Sequence, residues 1–289
     1  MSTPDSDSER RLSVEFLRHL ADSLAAGSVE LPTFPPVVIK VQEILRNPNY
    51  TTQMIAEPIR SDPTLAARFL NMANSTAFNA TGKVIIDLGI ALTRLGAQKV
   101  YSVVLAHAIQ VIRRSESLRS IGRPLDELWS DSVTTAHFCD AVAKRVSLSS
   151  ADAFVAGLLH RIGHLYILAQ CIEGGPSRPR RVLTNDLIDA WHPAIARAIL
   201  KNWNISQEVC TAVGEQSEVL SVRTGPPTLT DVLIVGARLA KRMRNPHDTN
   251  TSLTAGGVLL RLNLSIEECH ALISKSAADV RALERVLHP

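Results

Sequence analysis

Two histidines in the middle of the chain have the spacing of a metal-binding pair. His160 and His164 are four residues apart, which places both imidazoles on one face of a helix, as in the zinc pair of HExxH proteases. Arg161 stands where that motif has its glutamate, and Gly163 weakens the helix between the histidines. We therefore interpret His160 as a buried, hydrogen-bonded structural residue, with metal binding as the alternative.

The other candidates for chemistry are weaker. His192 precedes Pro193, so we expect His192 near a helix N-terminus, where it caps or packs. His137 and Cys139 are two apart and share no helical face, so the pair does not suggest a Cys–His nucleophile. The cysteines are far apart in the sequence, with no CxxC pair, and we expect buried or half-buried thiols: Cys139, Cys171, Cys210 and Cys269.

The bulk composition is that of an ordinary globular protein. Apolar residues make up 45% of the chain and charged residues 20%, with a formal net charge of +3. This charge is too small to indicate a nucleic-acid or membrane partner. No apolar run approaches the roughly 20 residues that span a bilayer, and Met1–Arg11 has no apolar signal segment. We expect a cytoplasmic protein without a membrane partner.

Apolar residues recur with a helical period along most of the chain. Asp62 before Pro63 and Asp87 before a run ending at Gly96 are helix-start signals, and Ser265-x-x-Glu268 is a capping box. No run shows the sustained alternation of a strand. The sequence therefore predicts an all-α fold.

Several segments, taken in chain order, resemble the HDOD family, a non-catalytic relative of the HD metal-dependent phosphohydrolases. The segments are Leu31-Pro32-x-Phe34-Pro35, Asp62-Pro63-x-Leu65, Leu70-x-x-x-Asn74-Ser75, Ile90-Ala91-Leu92-x-x-Leu95-Gly96, Leu128-Trp129, Ala156-Gly157-Leu158-Leu159-His160, Ile162-Gly163, and His192-Pro193 with Trp203. The resemblance implies a multi-helical HD-like bundle with an N-terminal helical subdomain. We expect an N-terminal segment and first helix over 1–23, an HDOD-like domain over 24–222 with subdomains of about 24–110 and 124–222, and a helical C-terminal extension over 223–289.

The resemblance also identifies the positions that bind metal in HD phosphohydrolases. The second residue of the paired His-Asp is Arg161 here, so a cation replaces a bridging carboxylate. The final aspartate is Ala237, and the later His-His pair is Gln216-Ser217. Residue types that can bind a metal ion remain at three of these positions: Asp131, His160 and His192. We expect no metal and no cofactor at this degenerate site, and an ion pair between Arg161 and Asp131.

The implied function is that of a non-enzymatic bacterial signal-transduction module that acts by binding a protein partner or a small ligand. Two alternatives stay open: a residual metal-dependent phosphohydrolase using His160, His192 and Asp131, and a nucleic-acid-binding regulator. The latter would use basic segments, namely Arg178, Arg180 and Arg181 in a Pro/Gly loop and the helix containing Arg238–Arg244. A further group either locks subdomain packing or lines a partner surface: Arg68, Asn74, Ser75, Arg94 and Gly96. The partner, a sensed small ligand and the oligomeric state are not indicated.

Overall fold

The structure, a computed structural model, describes residues 6–26, 35–75, 78–79, 82–114, 122–172, 183–217, 225–246 and 257–287. Within these ranges the regular elements are helices, with no strand, which confirms the predicted all-α fold. The helices are α1 Ser6–Ala25, α2 Pro36–Arg46, α3 Thr52–Arg60, α4 Pro63–Ala73, α5 Leu88–Leu95, α6 Ala97–Arg113, α7 Arg123–Arg145, α8 Ser150–Leu159, α9 Ile162–Ile172, α10 Asn185–Asn202, α11 Gln207–Gly214, α12 Leu229–Arg244, α13 Val258–Arg261 and α14 Ile266–Leu287.

The chain forms two compact units, each assembled from two separate segments. The first unit comprises Met1–Leu31 and Glu116–Ser276, and the second comprises Pro32–Ser115 and Ala277–Pro289. The first helix and most of the predicted C-terminal extension thus belong to the first unit, while the end of α14 belongs to the second. The family-domain boundaries expected from the sequence stay a prediction, because compactness alone does not define them.

In the first unit, α7 lies at the centre and packs against α8 and α12. The helices approach closely where glycine removes a side chain. A Cβ on Gly157 of α8 would lie 2.6 Å from the Cα of Ala136 on α7. A Cβ on Gly163 of α9 would lie 2.1 Å from the backbone oxygen of His192 on α10. These contacts bring α7 close to α8, and α9 close to α10.

In the second unit, α6 packs against α2, α4 and α5. The predicted start of α4 is confirmed, because Oδ1 of Asp62 accepts from the backbone N–H of Leu65 at 3.0 Å. The other carboxylate oxygen of Asp62 lies 2.7 Å from Nε2 of the buried His107 on α6. One residue therefore caps a helix and joins it to the central helix of its unit.

The other predicted helix signals are also observed. The carboxylate of Asp87 accepts from the N–H of Ile90, and Gly96 ends α5 with a φ of 78°. Only glycine adopts that conformation readily, and it allows α6 to begin at the next residue. Ser265 and Glu268 exchange the two hydrogen bonds of a capping box, at 2.9 and 3.1 Å. All three signals depend on contacts within four residues.

Two predictions about local structure are wrong. Pro193 does not open a helix: α10 begins at Asn185, so His192 and Pro193 lie inside it. The buried face formed by Ile188, His192, Ile195 and Ile199 carries the helix through the proline.

The two histidines spaced four apart do not share one continuous helix either. The chain turns at His160 and Arg161, between the end of α8 at Leu159 and the start of α9 at Ile162. The four-residue spacing of His160 and His164 therefore does not place the two imidazoles on one helical face, as it does in a zinc-binding helix.

Within the part of the chain that the structure describes, no single helix is long and apolar enough to cross a membrane. The pair α5 and α6 meets the length and composition criteria together but is bent by 107°.

Candidate functional site

Asp131, at one of the metal-ligand positions that the family resemblance implies, lies at the centre of a buried charge cluster. It is on α7, and its side chain is only 9% exposed. Nε of Arg161 donates to Oδ2 of Asp131 at 3.2 Å, and Arg244, at the end of α12, donates to Oδ1. The predicted ion pair between Arg161 and Asp131 is confirmed. One buried carboxylate is thus neutralised by two guanidinium groups.

His160 is buried, and its imidazole is hydrogen-bonded to the backbone of the last turn of α8. Its Nδ1 lies 2.7 Å from the carbonyl oxygen of Gly157. A carbonyl can only accept, so Nδ1 of the neutral ring carries the proton and Nε2 is left with a lone pair. Nε2 lies 3.8 Å from Oδ2 of Asp131. Burial lowers the pKa of His160 to about 4, and Asp131 opposes this shift only in part.

Arg161 also contacts a second carboxylate. Its Nη1 lies 3.2 Å from Oδ1 of Asp189, on α10, and 3.4 Å from Nδ1 of His164. Arg161 therefore spans a buried carboxylate on α7 and an exposed one on α10. This contact pattern is typical of a structural cation that joins helices.

The remaining two histidines are neutral neighbours of this arginine. The rings of His164 and His192 are 5.8 Å apart at their centroids. Burial, with a contribution from the Arg161 guanidinium, lowers the pKa of His164 to about 4 and that of His192 to about 2. Nδ1 of His192 has no hydrogen-bond partner among the described residues. At neutral pH the cluster therefore contains uncharged imidazoles beside two arginines.

The other degenerate positions do not supply ligands. Nε2 of Gln216 donates to the carbonyl oxygens of His160 and Val213, at 3.0 and 2.8 Å. Ser217 is exposed in the turn that follows α11. Ala237 is half-buried on α12. Gln216 thus holds the backbone of the turn at His160, a structural role that sequence comparison did not reveal.

Arg244 is the site residue that sequence reasoning missed. From the sequence it belongs only to the basic segment of the nucleic-acid alternative. It lies seven residues, or about two turns, after Ala237, where the family resemblance implies an aspartate. An arginine two turns from that position, on the same helix, is the one signal that the sequence offers. Its contact with Asp131 joins residues 113 apart in the sequence.

The residues present do not fit the divalent metal that the fold family implies. Such a site needs several converging imidazoles and carboxylates. Here the central carboxylate, Asp131, already binds Arg161 and Arg244, whose charges repel a second cation. Across the residues described above, no group of three or more His, Cys, Asp or Glu could hold a metal ion.

The structure assigns contacts within the second unit to most of the remaining sequence-predicted positions. Nη1 of the buried Arg68 donates to the carbonyl oxygen of Leu287, at the end of α14. Ser75 donates from its hydroxyl to the carbonyl of Met72 at 2.7 Å. Asn74 and Arg94 hold the segment that precedes α5, which is described below. None of these contacts tests the predicted partner surface.

The two basic segments of the nucleic-acid alternative differ in how far the structure describes them. The loop with Arg178, Arg180 and Arg181 lies outside the described residues. On α12, Arg244 binds Asp131, and Arg242 donates to the carbonyl oxygen of Pro246 at 3.3 Å. Burial lowers the pKa of the half-buried Arg238. Arg244 is thus paired with a carboxylate within the first unit, and none of these contacts tests nucleic-acid binding.

Known proteins resemble the chain in both sequence and fold. A protein of Treponema pallidum (strain Nichols) with no characterized function is 24% identical over 205 residues, which are 67% of this chain. The chain spans 39% of that relative's length.

Three solved structures share the fold at low sequence identity. A candidate metal-dependent phosphohydrolase of Shewanella amazonensis SB2B has a TM-score of 0.70 at 21% identity, covering 96% of this chain and 99% of its own. An HDOD domain protein of unknown function from Geobacter sulfurreducens has a TM-score of 0.68 at 20% identity, covering 94% and 99%. A candidate signal transduction protein of Marinobacter aquaeolei VT8 has a TM-score of 0.65 at 22% identity, covering 99% and 67%.

The family model of the HDOD domain matches residues 31–219, about two thirds of the chain. This range includes the turn at His160 and Arg161, the central Asp131 and the glutamine that holds the turn. The chain belongs to the HDOD domain family.

Proposed function

We propose that this protein is a non-catalytic module of bacterial signal transduction, which acts in the cytoplasm by binding protein partners. One observation carries the proposal: Arg161 and Arg244 both bind Asp131, the carboxylate at the centre of the former metal site. Side-chain cations take the place of the metal charge in this arrangement. The site is built to stabilise helix packing and lacks the ligands to activate water.

The chemistry of the histidines supports the same proposal. Metal-dependent hydrolysis relies on a metal that generates hydroxide near neutral pH. Without such a metal, His160 would have to act as a base by itself. A pKa of about 4 makes this imidazole a weak base at neutral pH, and its burial keeps it from bulk water.

The relatives are consistent with this role. One solved structure of similar fold carries a signal-transduction name, and another is an HDOD domain protein without known function. The relatives with solved structures are bacterial proteins, which supports a bacterial module. The Shewanella protein is a candidate phosphohydrolase, so residual hydrolysis is the alternative that an experiment must address.

Metal content and hydrolysis should be measured on the same purified protein. We expect less than about 0.1 equivalent of Mn, Fe, Ni or Zn by elemental analysis after dialysis against each metal without chelator. We also expect no metal-stimulated hydrolysis of bis-p-nitrophenyl phosphate. About one metal per chain, with hydrolysis that Asp131→Ala abolishes, would overturn the proposal in favour of the phosphohydrolase.

A binding measurement tests whether the protein acts by binding protein partners. Protein partners captured from extract of the source bacterium should be confirmed with purified components by calorimetry. We expect a dissociation constant that is the same with and without EDTA, because no metal takes part. Binding that requires a divalent metal would contradict the proposed mode of action.

A further inference from the structure

A short segment of the second unit, Gly82–Asp87, exposes large apolar side chains. Val84 is 72% exposed and Ile86 is 85% exposed, whereas Ile85 between them is 7% exposed. This alternation with a period of two is typical of extended backbone. We call Gly82–Asp87 the edge segment.

Side-chain amides hold the edge segment in place. Asn74 pairs with Ile85 in both directions: its Nδ2 donates to the Ile85 carbonyl and its Oδ1 accepts from the Ile85 N–H, each at 2.8 Å. This is how a neighbouring strand would pair with Ile85. Asn79, which binds Arg94 at 2.8 Å, donates to the carbonyl of Lys83 at 2.9 Å. Two residues singled out from the sequence, Asn74 and Arg94, therefore fix this segment.

The opposite side of the edge segment is open. In extended backbone, the N–H and C=O groups of Val84 and Ile86 point away from the side on which Ile85 is paired. These groups have no hydrogen-bond partner in the part of the chain that the structure describes. Natural proteins usually cover or charge such an edge, because it is a template for pairing with another strand. Here the edge is held by side-chain hydrogen bonds and carries the exposed β-branched side chains of Val84 and Ile86.

We propose that the edge segment pairs with the edge segment of a second copy of this chain, as antiparallel strands about a two-fold axis at Ile85. In this register Val84 of one copy lies opposite Ile86 of the other, and each residue donates its N–H to the C=O of the residue opposite. The dimer therefore has four backbone hydrogen bonds and two Val–Ile pairs, and the two-fold axis relates one half of them to the other. The edge is thus complementary to itself, as an isologous dimer requires.

Charge complementarity favours a second copy over another partner. With Ile85 on the axis, Lys83 of each copy lies opposite Asp87 of the other. Both side chains are exposed, and opposite charges directly across an antiparallel pair are stabilising. A shift of register by one residue would lose both charge pairs. The contact is small compared with a standard interface, so we expect a weak dimer with a dissociation constant of roughly 10–100 μM.

Sedimentation equilibrium of the full chain over a wide concentration range tests the proposal. We expect a monomer–dimer equilibrium that Lys83→Glu weakens about tenfold, because it places a glutamate opposite Asp87 twice in each dimer. Adding Asp87→Asn should recover the dissociation constant to within about threefold of the wild-type value. Asparagine still caps α5, so the double variant removes the repulsion without removing the helix cap.

Ile86→Pro tests the backbone directly. Proline removes an N–H that the monomer does not use but that the dimer needs, so we expect dimerisation to be lost while circular dichroism and melting temperature are unchanged. Leu260→Ser is the matched control, since Leu260 is also 85% exposed but lies on α13 of the first unit.

Each outcome is decisive. A chain that stays monomeric at about 1 mM, or a dimer that persists in Ile86→Pro, would overturn the proposal. A dimer weakened equally by Leu260→Ser would show a general apolar association and would also overturn it. The metal and partner measurements above are independent of this result.

Discussion

Nε of Arg161, in the turn between α8 and α9, donates to Oδ2 of Asp131 on α7 at 3.2 Å. The family resemblance places both residues at positions that bind metal in HD phosphohydrolases. In this protein the two side chains form a salt bridge. Arg244 adds a second cation to the same carboxylate.

Removal of Asp131 should destabilise the fold more than removal of Arg161. Asp131→Ala leaves two guanidinium groups without their anion, and we expect a loss of about 2–3 kcal/mol in the free energy of unfolding. Arg161→Ala should cost only about 1 kcal/mol, because Arg244 still binds Asp131 and Arg161 is partly exposed. The double variant should lose less than the sum of the single losses. Urea unfolding measures all three.

Arg123→Ala provides the control for this cycle. Arg123 is 91% exposed and pairs with Glu127 at 4.0 Å, so its removal should be thermally silent. If Asp131→Ala were as silent as this control, the buried charge cluster would have no structural role.

Stability should decrease as the pH falls below about 6.5. Burial lowers the pKa of His160 in the folded protein to about 4, whereas an unfolded histidine titrates near 6.5. Between these values the unfolded chain binds a proton that the folded chain does not, so acid favours unfolding. We expect a loss on the order of 2 kcal/mol for His160 between pH 7 and pH 5.

Substitution of His160 should make the free energy of unfolding less dependent on pH. His160→Gln should lose less stability than the wild type over the same pH interval in urea titrations. Equal slopes for the wild type and His160→Gln would show that His160 is not a neutral buried group.

Gly163→Ala should disrupt the packing of α9 on α10. The added Cβ would lie 2.1 Å from the backbone oxygen of His192 and 2.8 Å from the backbone nitrogen of Ala196, and neither can move without moving the helix. We expect a loss of at least about 2 kcal/mol, or failure to fold. The matched variant is Gly214→Ala, whose Cβ meets the flexible side chain of Arg197. It should cost less than about 1 kcal/mol, and a similar loss in both variants would contradict the prediction.

Arg68→Ala should loosen the end of α14. Nη1 of Arg68 and Nε2 of Gln110 both donate to the carbonyl oxygen of the buried Leu287, at 3.1 and 2.8 Å. A cation at a helix C-terminus also interacts favourably with the helix dipole. We expect faster hydrogen exchange in the last two turns of α14, by about tenfold. Arg281→Ala, at an exposed position on the same helix, should leave the exchange unchanged, and equal rates in both variants would disprove the role of Arg68.

Much of the fold and part of the site could be predicted from the sequence because they depend on local chemistry. The helix starts at Asp62, Asp87 and Ser265 depend on hydrogen bonds within four residues, so neighbouring residue types are enough to predict them. The pairing of Arg161 with Asp131 was predictable because the family pattern places both at ligand positions of one site. A buried charge is costly unless it is paired, so opposite charges in the same buried site form an ion pair.

Only the tertiary structure decided the remaining features, because they join parts of the chain that no local pattern relates. The contact between Arg244 and Asp131 spans 113 residues, and the hydrogen bond from Gln216 to the His160 carbonyl spans 56. Pro193 predicts a helix start because proline favours the first turn of a helix. In the structure the helix continues through Pro193, because the buried face of α10 extends on both sides of this residue. The amide of Asn74 likewise finds its partner, Ile85, 11 residues away in the sequence. Residue types determined which helices form and which charges must be neutralised, and the packing of distant helices determined the partner of each group.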